Sequence, residues 1–127
     1  MAERINVLKT YKIFIGGKFP RTESGRFYQL NNPSKAIANV CLSSRKDLRN
    51  AVVAARAAFE KWSAATAYNR SQILYRMAEM MEGRKDQFIS ELVLQGVDIK
   101  KATVEVDLSI DRVIYFAGWA DKINQVF

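Results

Sequence analysis

Three places in this 127-residue sequence carry side chains whose types and spacing could do chemistry. Asp107 and Asp111 stand four residues apart within a helical pattern, so they share one helix face. Two carboxylates so placed can divide general acid and general base work between them. The same spacing describes two solvated charges on an outer face, and Arg112 beside them does not select between the readings. Cys41 is the one cysteine and a potential nucleophile. It lies in an apolar run without a neighbouring cation to hold a thiolate, so a small buried hydrophobe is expected there. Gly16-Gly17-Lys18 has the outline of a phosphate turn. It lacks the further glycines, the Ser or Thr after the lysine and the following helix, and a tight hairpin turn is expected instead. There is no histidine, which removes the commonest general base and the commonest transition-metal ligand.

The elements that would position these residues follow from periodicity. Residues 1–10 read as a loose lead-in. Residues 11–42 read as β segments: an alternating strand over 11–15, the Gly16-Gly17 turn, a strand over 26–31, a break at Asn32-Pro33-Ser34, and an apolar strand over 36–42. Helices are expected from residue 44 to 124. Ser44 is placed as an N-cap with Asp47 three residues on. A first helix over 45–62 turns Leu48, Val52, Ala55, Phe59 and Trp62 to one face. A second over 68–83 aligns Ile73, Leu74, Met77, Met80 and Met81. A third over 85–95 turns Phe88, Ile89, Leu92 and Val93 inward. The fourth, over 99–124, aligns Val106, Ile110, Val113 and Ala117. Val104, Leu108 and Tyr115 widen its apolar coverage, which implies that further chain or another subunit packs on it, and that the isolated chain self-associates. Near its end, Gly118 beside Trp119 suggests a close helix approach with the indole filling the next gap.

Composition sets the bounds. Apolar residues make up 49% and charged residues 26%, which is ordinary for one globular domain. The net charge of +7 invites a small basic nucleic-acid-binding domain as one reading. Against it, Lys and Arg are spread from Arg4 to Lys122 among acids, in short pairs (Arg45-Lys46, Arg84-Lys85, Lys100-Lys101) without interleaved aromatics. A single cysteine forms no internal disulfide, no signal-peptide core is visible, and no run approaches the ~20 apolar residues of a membrane span. A cytoplasmic protein without membrane contact is expected.

Five segments, taken in order, carry a resemblance. They are the hairpin from Tyr11 to Lys18, with Ile13-Phe14-Ile15-Gly16-Gly17-Lys18 at its centre, the turn Asn32-Pro33-Ser34, Ala57-Ala58-Phe59-Glu60-Lys61-Trp62-Ser63, Arg70-Ser71-Gln72-Ile73-Leu74-Tyr75-Arg76-Met77-Ala78, and Tyr115-Phe116-Ala117-Gly118-Trp119-Ala120-Asp121-Lys122. Together the chain resembles the N-terminal part of the NAD(P)-dependent aldehyde dehydrogenase superfamily. The resemblance implies an α/β fold in the complete family protein. Residues 1–127 would form the opening of its cofactor-binding domain, a β-hairpin arm followed by three to four packed helices with an α+β appearance alone. It implies oxidation of a small aldehyde to a carboxylic acid with NAD or NADP in the full enzyme, through a cysteine nucleophile and a glutamate base. In the family those groups and the cofactor-binding segments come later, and Cys41 does not match the nucleophile. This segment alone is therefore expected to bind no cofactor and to have no catalytic residue. Its expected partners are the remainder of such a chain and further copies in a homo-oligomer.

Two carry-overs follow from the same resemblance. Positions 104, 105 and 108 (Val104, Glu105, Leu108) match the helix that lines the family's substrate tunnel. Leu30, Asn31 and Leu94 match positions that hold a monovalent cation in some members. Leu94 replaces the aspartate used there, and Gly96-Val97 replaces a common Gly-Lys step. These departures leave a non-catalytic aldehyde dehydrogenase-like assembly or scaffold module as the alternative function.

Overall fold

The computed structural model describes residues 7–33 and 35–126. The lead-in expected over 1–10 lies outside the described residues as far as residue 6, as does Ser34 of the Asn-Pro-Ser turn. The chain divides into two compact units, with the boundary between Ala58 and Phe59.

The first unit is built on a three-stranded sheet, β1 (Thr10–Tyr11), β2 (Phe27–Asn32) and β3 (Lys35–Cys41), in the order β1-β3-β2. Pro33 sits in the turn between β2 and β3, where its missing N–H costs no ladder bond. The two strands run antiparallel, with Phe27 opposite Cys41 and Asn32 opposite Lys35. A register shift separates Leu30, opposite Ala38, from Asn31, opposite Ala36. β1 pairs parallel with β3, Thr10 opposite Asn39. This corrects the strand expected over 11–15: only Tyr11 of that run is in the ladder. The remainder leaves the sheet to form the glycine hairpin, where Ile15 and Lys18 exchange both backbone hydrogen bonds at 3.0 and 3.1 Å.

Gly16 and Gly17 have φ of 58° and 78°. Two successive left-handed residues make the turn that suits the twist of a two-residue hairpin. The Lys18 amide is engaged by the Ile15 carbonyl, so this turn is a chain reversal and not a phosphate cradle. Gly17→Ala is expected to weaken the hairpin by about 1 kcal/mol, and Gly17→Asn by much less, because asparagine tolerates the left-handed region. Amide exchange at Lys18 reads the difference directly.

Helix α1 (Arg45–Ala64) opens at a reciprocal cap. The Asp47 amide donates to Ser44 Oγ at 3.3 Å, and the Ser44 amide donates to Asp47 Oδ2 at 2.8 Å. The face expected inward is not covered. Leu48, Val52, Phe59 and Trp62 are all exposed, and α1's one buried residue is Asp47. Helical periodicity identifies a face that favours burial; it does not supply the element that would bury it.

The second unit holds α2 (Ala67–Glu82), α3 (Lys85–Leu94), α4 (Ile99–Trp119) and the short α5 (Ile123–Val126). Its core is the cluster Ala78, Val106 and Ile110, closed in by Met81, Ile89, Leu92 and Val113. On α4 the expected face is the buried one, extended by Ala102. On α2 the expected stripe is corrected. Ile73, Met77 and Met80 are exposed, Leu74 and Met81 are half-buried as part of that stripe, and the buried positions are Ser71 and Ala78. Small side chains let α2 approach α4 closely, and the Ser71 hydroxyl donates to the Ala117 carbonyl at 2.8 Å. On α3, Phe88 and Val93 are exposed while Ile89 and Leu92 are half-buried.

The long fourth helix expected to residue 124 ends at Trp119. The Ala120 and Lys122 amides reach back three residues, to the Ala117 and Trp119 carbonyls, and this tighter winding separates α5. The close-packed residue near this end is Ala117, fully buried, and not Gly118. A Cβ at Gly118 would meet Tyr75 Oη at 3.5 Å, an ordinary contact.

Candidate functional site

Helix α4 carries most of the residues singled out for chemistry, and its start is well fixed. Gly96, at φ 96°, ends α3, with its amide on the Val93 carbonyl and the Val97 amide on the Leu92 carbonyl. Asp98 then caps α4, its carboxylate accepting from the Lys100 and Lys101 amides at 3.0 and 3.3 Å. These caps set the rotation of α4, so that Ala102, Val106, Ile110 and Ala117 point to the core.

Val104 and Leu108 share a face away from that core, and both are exposed apolar side chains. Glu105 borders the space between α3 and α4 with Glu91 and Ser109. The Ser109 hydroxyl donates to the Glu105 carbonyl at 2.7 Å. Further along, Tyr115 contacts Phe116 edge-on at 5.4 Å between ring centroids and Trp119 at 6.1 Å. Tyr115 and Phe116 are largely exposed, so the outer side of α4 carries an apolar pair, Val104 and Leu108, and an aromatic group at its C-terminal end, with the exposed Asp111 and Arg112 between them.

The Asp107–Asp111 pair resolves differently from a coupled dyad. Asp107 is ion-paired with Lys85 at the start of α3. Its carboxylate raises the Lys85 pKa above the ordinary lysine value, chiefly by hydrogen bonding to the ammonium. Asp111 remains an exposed carboxylate beside Glu79 and Glu82. One acid is committed to a lysine, and the acid–base reading has no support in this geometry. Nothing in the spacing of residues 85 and 107 along the chain announces this contact; it exists because α3 and α4 fold back on each other.

Cys41 is buried, with its thiol donating to the Tyr11 carbonyl at 3.1 Å across the β1–β3 pair. It serves as the small sheet residue expected of it. Leu30 and Asn31 flank the β2 register shift, while Leu94 ends α3 with an exposed apolar side chain. No group of three or more His, Cys, Asp or Glu side chains that could hold a metal ion occurs among the described residues. The basic pairs are also dispersed: Lys46 is ion-paired to Glu23 at 2.5 Å, Lys85 to Asp107, and Lys100 and Lys101 lie in the first turn of α4.

A dinucleotide would need a helix N-terminus with free amides at the end of a strand. The junction from β3 to α1 is the one place among the described residues where a strand feeds a helix. An internal anion stands there: the Asp47 carboxylate accepts from the Ser44 and Glu23 amides and from the Thr22 hydroxyl. A pyrophosphate at this junction would meet the Asp47 carboxylate. The sequence reading placed Ser44 and Asp47 but missed Thr22, which lies 25 residues upstream of Asp47. It also missed Arg70, whose guanidinium donates to the Ser63 and Ala65 carbonyls at 3.2 and 2.6 Å and fastens the α1–α2 link. The run of small residues before Arg70 was the available signal.

The scaffold matches known proteins. A family model described as the aldehyde dehydrogenase family matches residues 19–127. Cytosolic 10-formyltetrahydrofolate dehydrogenase of Mus musculus is 35% identical over 96% of this chain, which corresponds to 14% of the mouse protein. An aldehyde dehydrogenase of Emericella nidulans is 37% identical over 88% of this chain and 23% of its own length. A solved NAD-dependent benzaldehyde dehydrogenase from Corynebacterium glutamicum superposes with a TM-score of 0.84 and 29% identity, over 89% of this chain and 25% of that one. The chain belongs to the aldehyde dehydrogenase family, and it carries an N-terminal portion of that α/β fold. It spans a quarter or less of the length of each of these relatives. No helix among the described residues is long and apolar enough to cross a membrane.

Proposed function

We propose that this chain is the opening part of the cofactor-binding domain of an NAD(P)-dependent aldehyde dehydrogenase. In the complete enzyme a small aldehyde is oxidised to its carboxylic acid. The observation that carries the reading is the agreement of fold and element order with an NAD-dependent aldehyde dehydrogenase over 89% of this chain. In this role the segment is expected to hold no nucleotide itself, a reading supported by the Asp47 carboxylate that stands at its strand-to-helix junction. Its contribution is a scaffold and one wall of the substrate path, formed by Val104 and Leu108 on the outer face of α4. The single buried thiol and the cytosolic name of the mouse relative support a cytoplasmic setting. The remainder of such a chain is the first partner, and assembly with further copies the second.

A segment exchange tests this. The matching stretch of the Emericella nidulans enzyme is replaced by this chain, and nucleotide reduction is followed with a series of aldehydes. The hybrid is expected to reduce NAD or NADP with at least one small aldehyde. Leu108→Trp in that hybrid is expected to raise KM for bulky aldehydes at least about tenfold, with kcat for small ones kept. A folded hybrid that binds nucleotide and oxidises no aldehyde would instead favour the non-catalytic assembly module that Leu94 and Val97 suggest. An aldehyde range untouched by Leu108→Trp would remove α4 from the substrate path.

A further inference from the structure

The chain's positive charge is concentrated in its first unit. Residues 1–58 carry eleven Lys and Arg against three acids, a net of +8, whereas residues 59–127 carry nine against ten. Within that unit the register sets Thr10 opposite Asn39 and Phe27 opposite Cys41, so Thr10, Phe27 and Cys41 share one face of the sheet. Between this face and the link from Arg21 to Arg26 lies a recess of about 180 Å³, with Arg21 and Arg26 as its charged lining. The link is anchored at the backbone. The Gly25 amide donates to the Thr22 carbonyl at 3.1 Å, and the Leu42 amide donates to the Arg26 carbonyl at 3.0 Å. Neither guanidinium joins an ion pair or a side-chain hydrogen bond among the described residues, so each keeps its five N–H donors. The two acids nearby are committed: Glu23 pairs with Lys46, and Asp47 accepts from Ser44, Glu23 and Thr22. Neither acid lines the recess.

We propose that this recess binds the phosphate of a small phosphomonoester, whose organic group lies on the Phe27 ring. A guanidinium fork matches a pair of phosphate oxygens, and an anchored turn carries two such forks. Two cations balance a dianion, whereas a single carboxylate would leave one of them unanswered. Phe27 borders the recess and is 53% exposed, which leaves its ring open to an aromatic or apolar group. The net charge of the unit attracts anions in general; the two arginines at one recess select among them.

Titration of the isotope-labelled 127-residue chain with phenyl phosphate and methyl phosphate tests the proposal by NMR, at an ionic strength that screens diffuse attraction. The Thr10, Gly25 and Arg26 amides should shift saturably, with a Kd for phenyl phosphate of about 1 mM or tighter. Methyl phosphate should bind at least about threefold more weakly, and Phe27→Ala should remove that difference. Arg21→Gln and Arg26→Gln should each weaken both ligands at least about tenfold, while Lys12→Gln, outside the recess, should change them less than about twofold. Circular dichroism verifies each fold. Where a glutamine variant disturbs it, lysine in its place keeps the charge, loses the fork and should show a partial loss. Cys41 is the chain's one thiol and lines the recess, so bound phenyl phosphate should slow its alkylation by iodoacetamide. The folded hybrid with the Emericella nidulans enzyme should show the same protection. Protection confined to the free chain would mean that other chain fills the recess, and overturns the proposal. So does the absence of a saturable shift, an equal loss on Lys12→Gln, or a phosphodiester oligonucleotide that binds as tightly per phosphate as phenyl phosphate.

Discussion

Replacing Ile110 with alanine is expected to lower the stability of the helical unit by about 2–4 kcal/mol. Ile110 is 5% exposed and sits with Val106 against Ala78, while Met81, Ile89, Leu92 and Val113 close the space around them. The core has few members, so each accounts for a large share of it. A unit of this size has a net stability of only about 3–10 kcal/mol, and the variant should begin to unfold at denaturant concentrations that leave the parent intact. Leu108→Ala provides the contrast. That side chain lies two residues earlier on the same helix but is 48% exposed, and its loss should change stability by no more than about 0.5 kcal/mol. Both tryptophans, Trp62 and Trp119, belong to the helical unit, so urea unfolding followed by their fluorescence reports this unit. Equal losses at the two positions would mean that the core is not where α4 places it.

That contrast also separates what the sequence discloses from what it withholds. On α4 the periodic residues fall at helical spacing, and Val106, Ile110, Val113 and Ala117 face inward as expected. On α2 the same rule chose Ile73, Met77 and Met80 because they are the most apolar, while the close helix contact is made by Ser71 and Ala78 because they are small. Hydropathy favours size, and close approach favours its absence, so a pattern rule fails where backbones come near each other. The stripe of α1 was read correctly as a stripe, but whether a cover exists is a property of the surroundings and not of the stripe. Contacts that join distant residues were illegible for a further reason. Lys85 to Asp107, Thr22 to Asp47 and the parallel pairing of β1 with β3 each depend on a chain reversal whose geometry no local window contains. The family resemblance was legible because it rests on several segments in order, and ordered segments survive the loss of any one contact.

Acidification is expected to release the joint between the β unit's Thr22 turn and the start of α1 before it disturbs the rest of that unit. Asp47 is the hub of the joint: its carboxylate accepts from the Ser44 amide, the Thr22 hydroxyl and the Glu23 amide, in a position only 5% exposed. These donors, the Ser44 amide foremost, lower its pKa from 3.8 to about 2. The unfolded carboxyl takes up its proton near the ordinary value, and the folded one resists until about 2. The stabilisation is therefore complete above about pH 4 and is lost as pH falls from there through about 2. Exchange of the Ser44 and Glu23 amides should quicken across that window, and the Asp47 carboxyl carbon should titrate within it by NMR. Asp47→Asn keeps the shape and removes the charge, so it should be less stable than the parent at neutral pH, with the difference vanishing at the acid end. Thr22→Val removes one donor but leaves the Ser44 amide, the largest contributor. It should move the Asp47 midpoint only part of the way back toward 3.8. A full return to 3.8 would make the threonine hydroxyl, and not the helix cap, the principal support of this carboxylate.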